Sequence, residues 1–112
     1  MYKSKKWQRL RKAVLARDNY QDQELRRYGK MVPATTVHHI FPVEDYPEYR
    51  WCSWNLVSVS AKTHNELHDR NTNALTDKGR ALMERIARKR GINHGREEDC
   101  EERNQEDHNE ED

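Results

Sequence analysis

Five residues in this chain combine types and spacing that could do chemistry: the adjacent pair His38-His39, then Asn55, His64 and His68. A histidine has an ordinary pKa of about 6.5 and is largely neutral at pH 7, so it can take a proton from water or offer a lone pair to a metal ion. Neighbours along an extended strand point to opposite sides, which lets His38 and His39 serve different tasks. His64 and His68 are separated by about one turn of helix, so both imidazoles can face one ion. Asn55 does not titrate, and its amide is suited to bridging backbone groups and holding a loop in place.

The surrounding pattern supplies the elements that must position these groups. From about Ser4 to Arg17, Trp7, Leu10, Ala13 and Val14 recur at helical spacing, with Lys5, Lys6, Arg9, Arg11 and Lys12 elsewhere, which predicts a helix with one packed face and one basic face. Asp18-Asn19 breaks that pattern, and Asp22 to Tyr28 reads as a short second helix stopped by Gly29. Ala34 to Ile40 is rich in Thr, Val and Ile and reads as a strand that carries the His pair.

Phe41 to Trp54 holds Pro42, Pro47, several acids and the aromatics Phe41, Tyr46, Tyr49, Trp51 and Trp54, so an ordered functional loop is expected, with Trp51 and Trp54 packed beneath it. The alternation through Leu56 to Ser60 predicts a half-buried strand, and Ser60 then caps a helix from Ala61 to about Arg70. A last helix opens at Thr76-Asp77, runs to about Lys89 with Leu82, Met83 and Ile86 inward, and stops at Gly91. Trp7, Leu10, Leu82 and Ile86 are read as core without a chemical role.

Strand, loop, strand and helix with His-His, Asn and His at their junctions resemble the ββα-metal core of the HNH endonucleases, over about residues 18 to 70. Pro42 follows the His pair as in the family's His-Ile-x-Pro turn. The run from Asn55 to Asn65 looks like the family's stretch from its central Asn to its last His, and Arg17-Asp18-Asn19-Tyr20 resembles the lead-in of small phage-type members. The resemblance implies an α+β fold with a ββα-metal (His-Me finger) core at about 34–70, flanked by N- and C-terminal helices in a nuclease domain of residues 1–95.

It also implies an activity, the hydrolysis of DNA phosphodiester bonds by nicking or double-strand cleavage. His39 would be the general base and Asn55 a positioning residue whose loss costs activity more than metal affinity. His38 and His64 would hold one divalent ion, Mg²⁺, Mn²⁺, Ni²⁺ or Zn²⁺, and His68 would join them as in the all-His sites of the nuclease colicins. That ion would act as a Lewis acid on the phosphate and stabilise the departing 3′ oxygen, leaving a 5′-phosphate and a 3′-hydroxyl. Small proteins of this kind resemble phage enzymes that assist DNA processing or packaging, which would supply a protein partner. The competing expectation is a non-catalytic, metal-containing DNA-binding module, which would need ligands but no spare base.

One departure from the family concerns metal of another kind. Many small members carry two Cys-x-x-Cys pairs around a structural zinc, whereas the matching positions here are Asp22 and Leu25, then Ser60 and Thr63. No structural zinc is expected, and packing by Leu25 and nearby Trp and Tyr side chains would have to take its place.

Charge and composition bound the rest. Residues 96–112 hold ten Asp or Glu against Arg96 and Arg103, a net −8, so residues 1–95, with 19 Lys or Arg and 10 acids, carry +9. The acidic end reads as a disordered tail. The basic body suits DNA, with Lys5, Arg9, Lys12, Lys62 and Arg70 as candidate phosphate contacts. An apolar fraction of 33% leaves no room for a chamber around a bulky cofactor. Cys52 and Cys100 are the only cysteines, too few for a disulfide framework or a four-cysteine zinc site, so Cys52 reads as a plain thiol in a reducing, intracellular setting such as a host cytoplasm. No apolar run approaches about 18 residues and no signal peptide precedes the first helix, so neither a membrane partner nor export is expected.

Overall fold

Ser4 opens the first helix by accepting the Trp7 N–H on its side chain, and α1 runs Lys5–Arg17 with Trp7, Val14 and Leu15 buried. The computed structural model describes residues 4–92, and the acidic tail expected from residue 96 lies outside them. Ala13, expected on the packed face of α1, is exposed, and Leu15 is buried instead. Asn19 and Tyr20, at φ of 58° and 56°, then turn the chain away. The second helix is a single turn, α2 (Gln23–Arg26), capped by the Asp22 side chain.

Two strands follow, β1 (Thr36–His39) and β2 (Leu56–Val59). They pair antiparallel with His38 opposite Val57 and His39 opposite Leu56. The loop between them is ordered by its own aromatics: Phe41 meets Tyr46, Tyr49 and Trp54 edge-to-face at 5.1, 5.3 and 5.8 Å between ring centroids. Tyr49 and Trp51 are buried, so this loop carries a large part of the core.

The alternation in β2 predicted a half-buried strand, but all its residues are buried. The reason is tertiary. One edge of β2 pairs with β1, and the other edge is covered by side chains from the end of α1 and the cap of α2. Asp18 accepts the Ser58 N–H at 3.0 Å, Asp22 accepts the Ser60 N–H at 2.8 Å, and Arg17 donates to the Leu56 carbonyl at 2.7 Å. Carboxylates thereby satisfy the donors that a third strand would otherwise take, and a two-stranded sheet is left without a bare inner edge.

Helix α3 (Ala61–Leu67) starts at Ser60, whose hydroxyl accepts the Thr63 N–H. It ends at Leu67, short of the expected Arg70. His68 is extended, at φ −126° and ψ 143°, and forms an isolated bridge with Leu75. The last turn of α3 is closed by Thr76, which gives its N–H to the Leu67 carbonyl at 3.0 Å and its hydroxyl to the Glu66 carbonyl at 2.6 Å. Thr76 also caps α4 (Asp77–Arg90), which stops at Gly91 with φ 68°.

The close crossing of α3 and α4 depends on Gly79, where a Cβ would collide with the Leu67 carbonyl oxygen and lie 2.9 Å from the Leu75 side chain. Gly79→Ala is therefore expected to lower the unfolding free energy by about 1–3 kcal/mol through overpacking, against the gain of about 1 kcal/mol that helix propensity alone would give. A shift of the urea midpoint to higher concentration would contradict this.

Cys52 is fully buried and disulfide-bonded, in contrast to the thiol expected, and Cys100 lies outside the described residues. Among the described residues no helix is long and apolar enough to cross a membrane.

Candidate active site

The end of β1 separates the two members of the His pair. Alternation along the strand puts Val37 and His39 on the wall of an open cleft of about 570 Å³, and turns the His38 ring toward α3. Trp7, Gln8 and Arg11 of α1 line the same cleft with Thr35, Thr36, Pro42, Glu44, His64, His68 and Asn73.

His39 is held from two sides. Its ring stacks on Trp7 with centroids 5.4 Å apart and planes 20° from parallel. Its Nε2 lies 3.2 Å from the Arg50 carbonyl oxygen, a contact that requires the proton on Nε2 and leaves the Nδ1 lone pair unshared. Burial lowers its pKa; the bond to the Arg50 carbonyl works upward and the Arg50 charge downward, for a net lowering that keeps the ring neutral at pH 7.

Asn55 shapes the loop that carries Arg50. It is completely buried; its Oδ1 accepts the Phe41 N–H at 2.7 Å, and its Nδ2 donates to the carbonyls of Phe41 at 3.1 Å and Tyr49 at 3.3 Å. One side chain thus ties the residue that follows Ile40 to the residue that precedes Arg50. The Asn55 backbone carbonyl takes the Ile40 N–H as well, at 2.8 Å.

His38, His64 and His68 form a cluster, of which His64 and His68 also line the cleft. Their ring centroids are 5.0–5.5 Å apart, and one nitrogen from each lies within 4.8 Å of the others, so the trio could hold a metal ion. His68 does not reach the cluster from a helical turn, as its spacing suggested. It reaches it from the extended residue after α3, with Nδ1 directed at the Asn73 carbonyl at 3.2 Å and Nε2 3.3 Å from Nδ1 of His38. The Asn73 bond places the proton on Nδ1, so Nε2 presents its lone pair to the cluster. Asp69 shapes the turn behind it by accepting the N–H groups of Asn71 and Thr72 at 2.8 and 3.0 Å.

The electrostatics suit a cation in this place. Burial, reinforced by the charges that His68, His64 and His39 would carry, pushes His38 down to about 3. Burial and His68 lower His64 too. Neutral imidazoles are the form that binds metals, and His38 Nε2 is buried without a hydrogen-bond partner, an arrangement that a bound cation would relieve.

Neither a family model nor a curated protein matches this sequence. Among solved structures, the chain is similar to the HNH endonuclease of the deep-sea thermophilic bacteriophage GVE2, crystallised with a manganese ion. The two are 39% identical with a TM-score of 0.56, over 57% of this chain and 70% of that one. The chain belongs to the HNH endonuclease family. Its mixed helices and antiparallel strand pair are the α+β, ββα-metal fold of that family.

Within this HNH fold, the positions where many members hold a structural zinc converge through hydrogen bonds. Asp22 accepts from the backbone N–H groups of Leu25 at 2.9 Å and Ser60 at 2.8 Å, and the Ser60 and Thr63 hydroxyls are 3.2 Å apart. Leu25 is only half-buried, while Tyr20 and Tyr28 are 56% and 71% exposed. Apolar packing was expected at these positions; hydrogen bonds centred on a buried carboxylate are found there instead.

The phosphate contacts expected at Lys5, Arg9, Lys12, Lys62 and Arg70 are all exposed, and none of them lines the cleft. Trp7, read as plain core, and Arg11, read as part of a basic face, both do. Their spacing of one helical turn was visible in the sequence, but which face of α1 meets the His pair was not.

Proposed function

We propose that this HNH endonuclease hydrolyses DNA phosphodiester bonds with one divalent ion held by His38, His64 and His68. The observation that carries the reading is the division of labour within the His pair. His38 sits among two other imidazoles, whereas His39 stands apart in the cleft with one nitrogen committed to a backbone carbonyl and the other uncommitted. A purely structural metal centre has no use for a second, separately oriented imidazole.

His39 takes the proton of the attacking water through Nδ1, and its burial keeps it in the neutral form that this requires. Trp7 and the Arg50 carbonyl restrict rotation of its ring, and Asn55 holds the loop that presents that carbonyl. A divalent ion, when bound, supplies Lewis acidity toward the phosphate and the departing 3′ oxygen. The products are a 5′-phosphate and a 3′-hydroxyl. Lys5, Arg9, Lys12, Lys62 and Arg70 contact flanking phosphates, and the +9 charge of residues 1–95 draws DNA to the domain.

Residues 1–95 form the nuclease domain in this reading, and the −8 segment 96–112 opposes DNA at the basic face. In this reading the protein serves phage DNA processing or packaging beside a protein partner; the similar GVE2 protein is a phage HNH endonuclease. The decisive test is supercoiled plasmid with Mg²⁺, Mn²⁺ or Ni²⁺. Conversion to nicked or linear DNA, abolished by EDTA, is expected. Plasmid retained on a filter but uncut in every metal would favour the binding module instead.

A further inference from the structure

Arg11 is the only Lys or Arg among the described residues that line the cleft. Its guanidinium donates to the Thr35 carbonyl at 2.8 Å, which pins the side chain across from α1 to the start of β1. No carboxylate among the described residues lies within ion-pair distance of it. Other arginines near acids are committed: Arg17 to Asp18, Arg27 and Arg85 to Glu24, and Arg80 to Asp77. A half-buried arginine whose guanidinium is anchored by one donor and pairs with no acid retains most of its fork for an anion.

We infer that Arg11 binds a phosphodiester of the substrate strand in the cleft that His39, His64 and His68 also line. The cleft's charge is arranged for this. Arg11 and Gln8 line the cleft from α1, while Pro42, Val43 and the carboxylate-bearing Glu44 line it from the loop after β1. A phosphate is attracted to the first wall and repelled from the second, so the strand lies along α1, where Arg11 can meet it with two parallel N–H bonds. Anchoring by Thr35 lowers the rotamer freedom that binding would otherwise cost. The substrate class rests on the nuclease reading, but the phosphate site itself does not.

The test compares wild type, Arg11→Ala, Arg11→Lys and Arg27→Ala, the last removing an exposed charge outside the cleft. Binding of a fluorescent 16-mer DNA duplex is read by anisotropy in EDTA over a salt series, and plasmid cleavage is read in Mn²⁺. Arg11→Ala should weaken duplex binding about 3–10-fold and reduce the log–log salt slope by about 1. It should lower kcat/KM about 10–100-fold. Arg11→Lys should recover part of each, having the charge without the fork, and Arg27→Ala should behave as wild type.

If Arg11→Ala matches Arg27→Ala in both binding and cleavage, the inference is overturned. A fall in melting temperature alone would then identify Arg11 as a tie between α1 and β1. A wild type that binds the duplex in an Arg11-dependent way yet cuts in no metal would uphold this phosphate site and overturn the nuclease reading.

Discussion

The His39→Ala variant is expected to cut supercoiled DNA about 10²–10⁴-fold more slowly than wild type, with metal content and duplex affinity each within about twofold. The asymmetry follows from where the ring sits. His39 belongs to the cleft wall and stacks on Trp7, while the atoms that could hold a cation come from His38, His64 and His68. Removing His39 takes away the proton acceptor and leaves that trio whole. His64→Ala should instead lose metal and cleavage together, since the cluster would keep only two imidazoles. Metal content follows from elemental analysis after dialysis, and rates from gel quantitation of nicked plasmid. Loss of the ion from His39→Ala would move His39 into the metal site and remove the proposed base.

Substitution of Asp22 should have the largest effect on stability. Completely buried, its carboxylate caps α2 through the Leu25 N–H and satisfies the N–H of Ser60, the residue that follows β2. Asp22→Asn has nearly the same shape but must aim an amide N–H₂ at one of two backbone donors. One buried donor is left unsatisfied, at a cost of about 2–3 kcal/mol. In a domain this small that corresponds to a fall in Tm of roughly 10–20 °C.

The pH dependence has a definite sign. Burial works to raise the pKa of Asp22, but hydrogen bonds from Ser60, Thr63 and Leu25 outweigh it and hold the group below its usual 3.8. Asp18 behaves alike: burial works upward, and Arg17 and Ser58 bring the net downward. A depressed folded-state pKa stabilises the fold above the unfolded value, and that contribution is lost as pH falls through the folded value. Wild-type stability should therefore drop below about pH 4, and Asp22→Asn should drop less steeply there. Equal slopes for the two proteins in urea titrations between neutral and acid pH would remove Asp22 from this role.

Helix ends depend on contacts within a turn and are legible in neighbouring residues. Ser4, Ser60 and Thr76 each cap a helix by accepting an N–H three residues on, and Gly91 stops α4 in the left-handed conformation that glycine tolerates. The His-His, Asn and His order led to the family that the GVE2 likeness shows. Three local readings failed for the same kind of reason. Helix α3 stops at Leu67 because Thr76 closes it from the next element, β2 is buried because the carboxylates that end α1 and cap α2 cover its edge, and Cys52 is not a thiol.

The sequence by itself determined which residue types were present, the periods that make helices and strands, and the caps that bound them, because those depend on contacts within a turn or a pleat. Only the tertiary structure decided that His68 would meet His38 from an extended residue, 30 positions away in the chain. It alone put Trp7 against His39, turned Arg11 into the cleft, and let Asp18 and Asp22 bond to residues 40 and 38 positions further on. Such contacts are chosen by how whole elements pack, and the direction a side chain takes across a packed interface is not contained in the spacing of its neighbours.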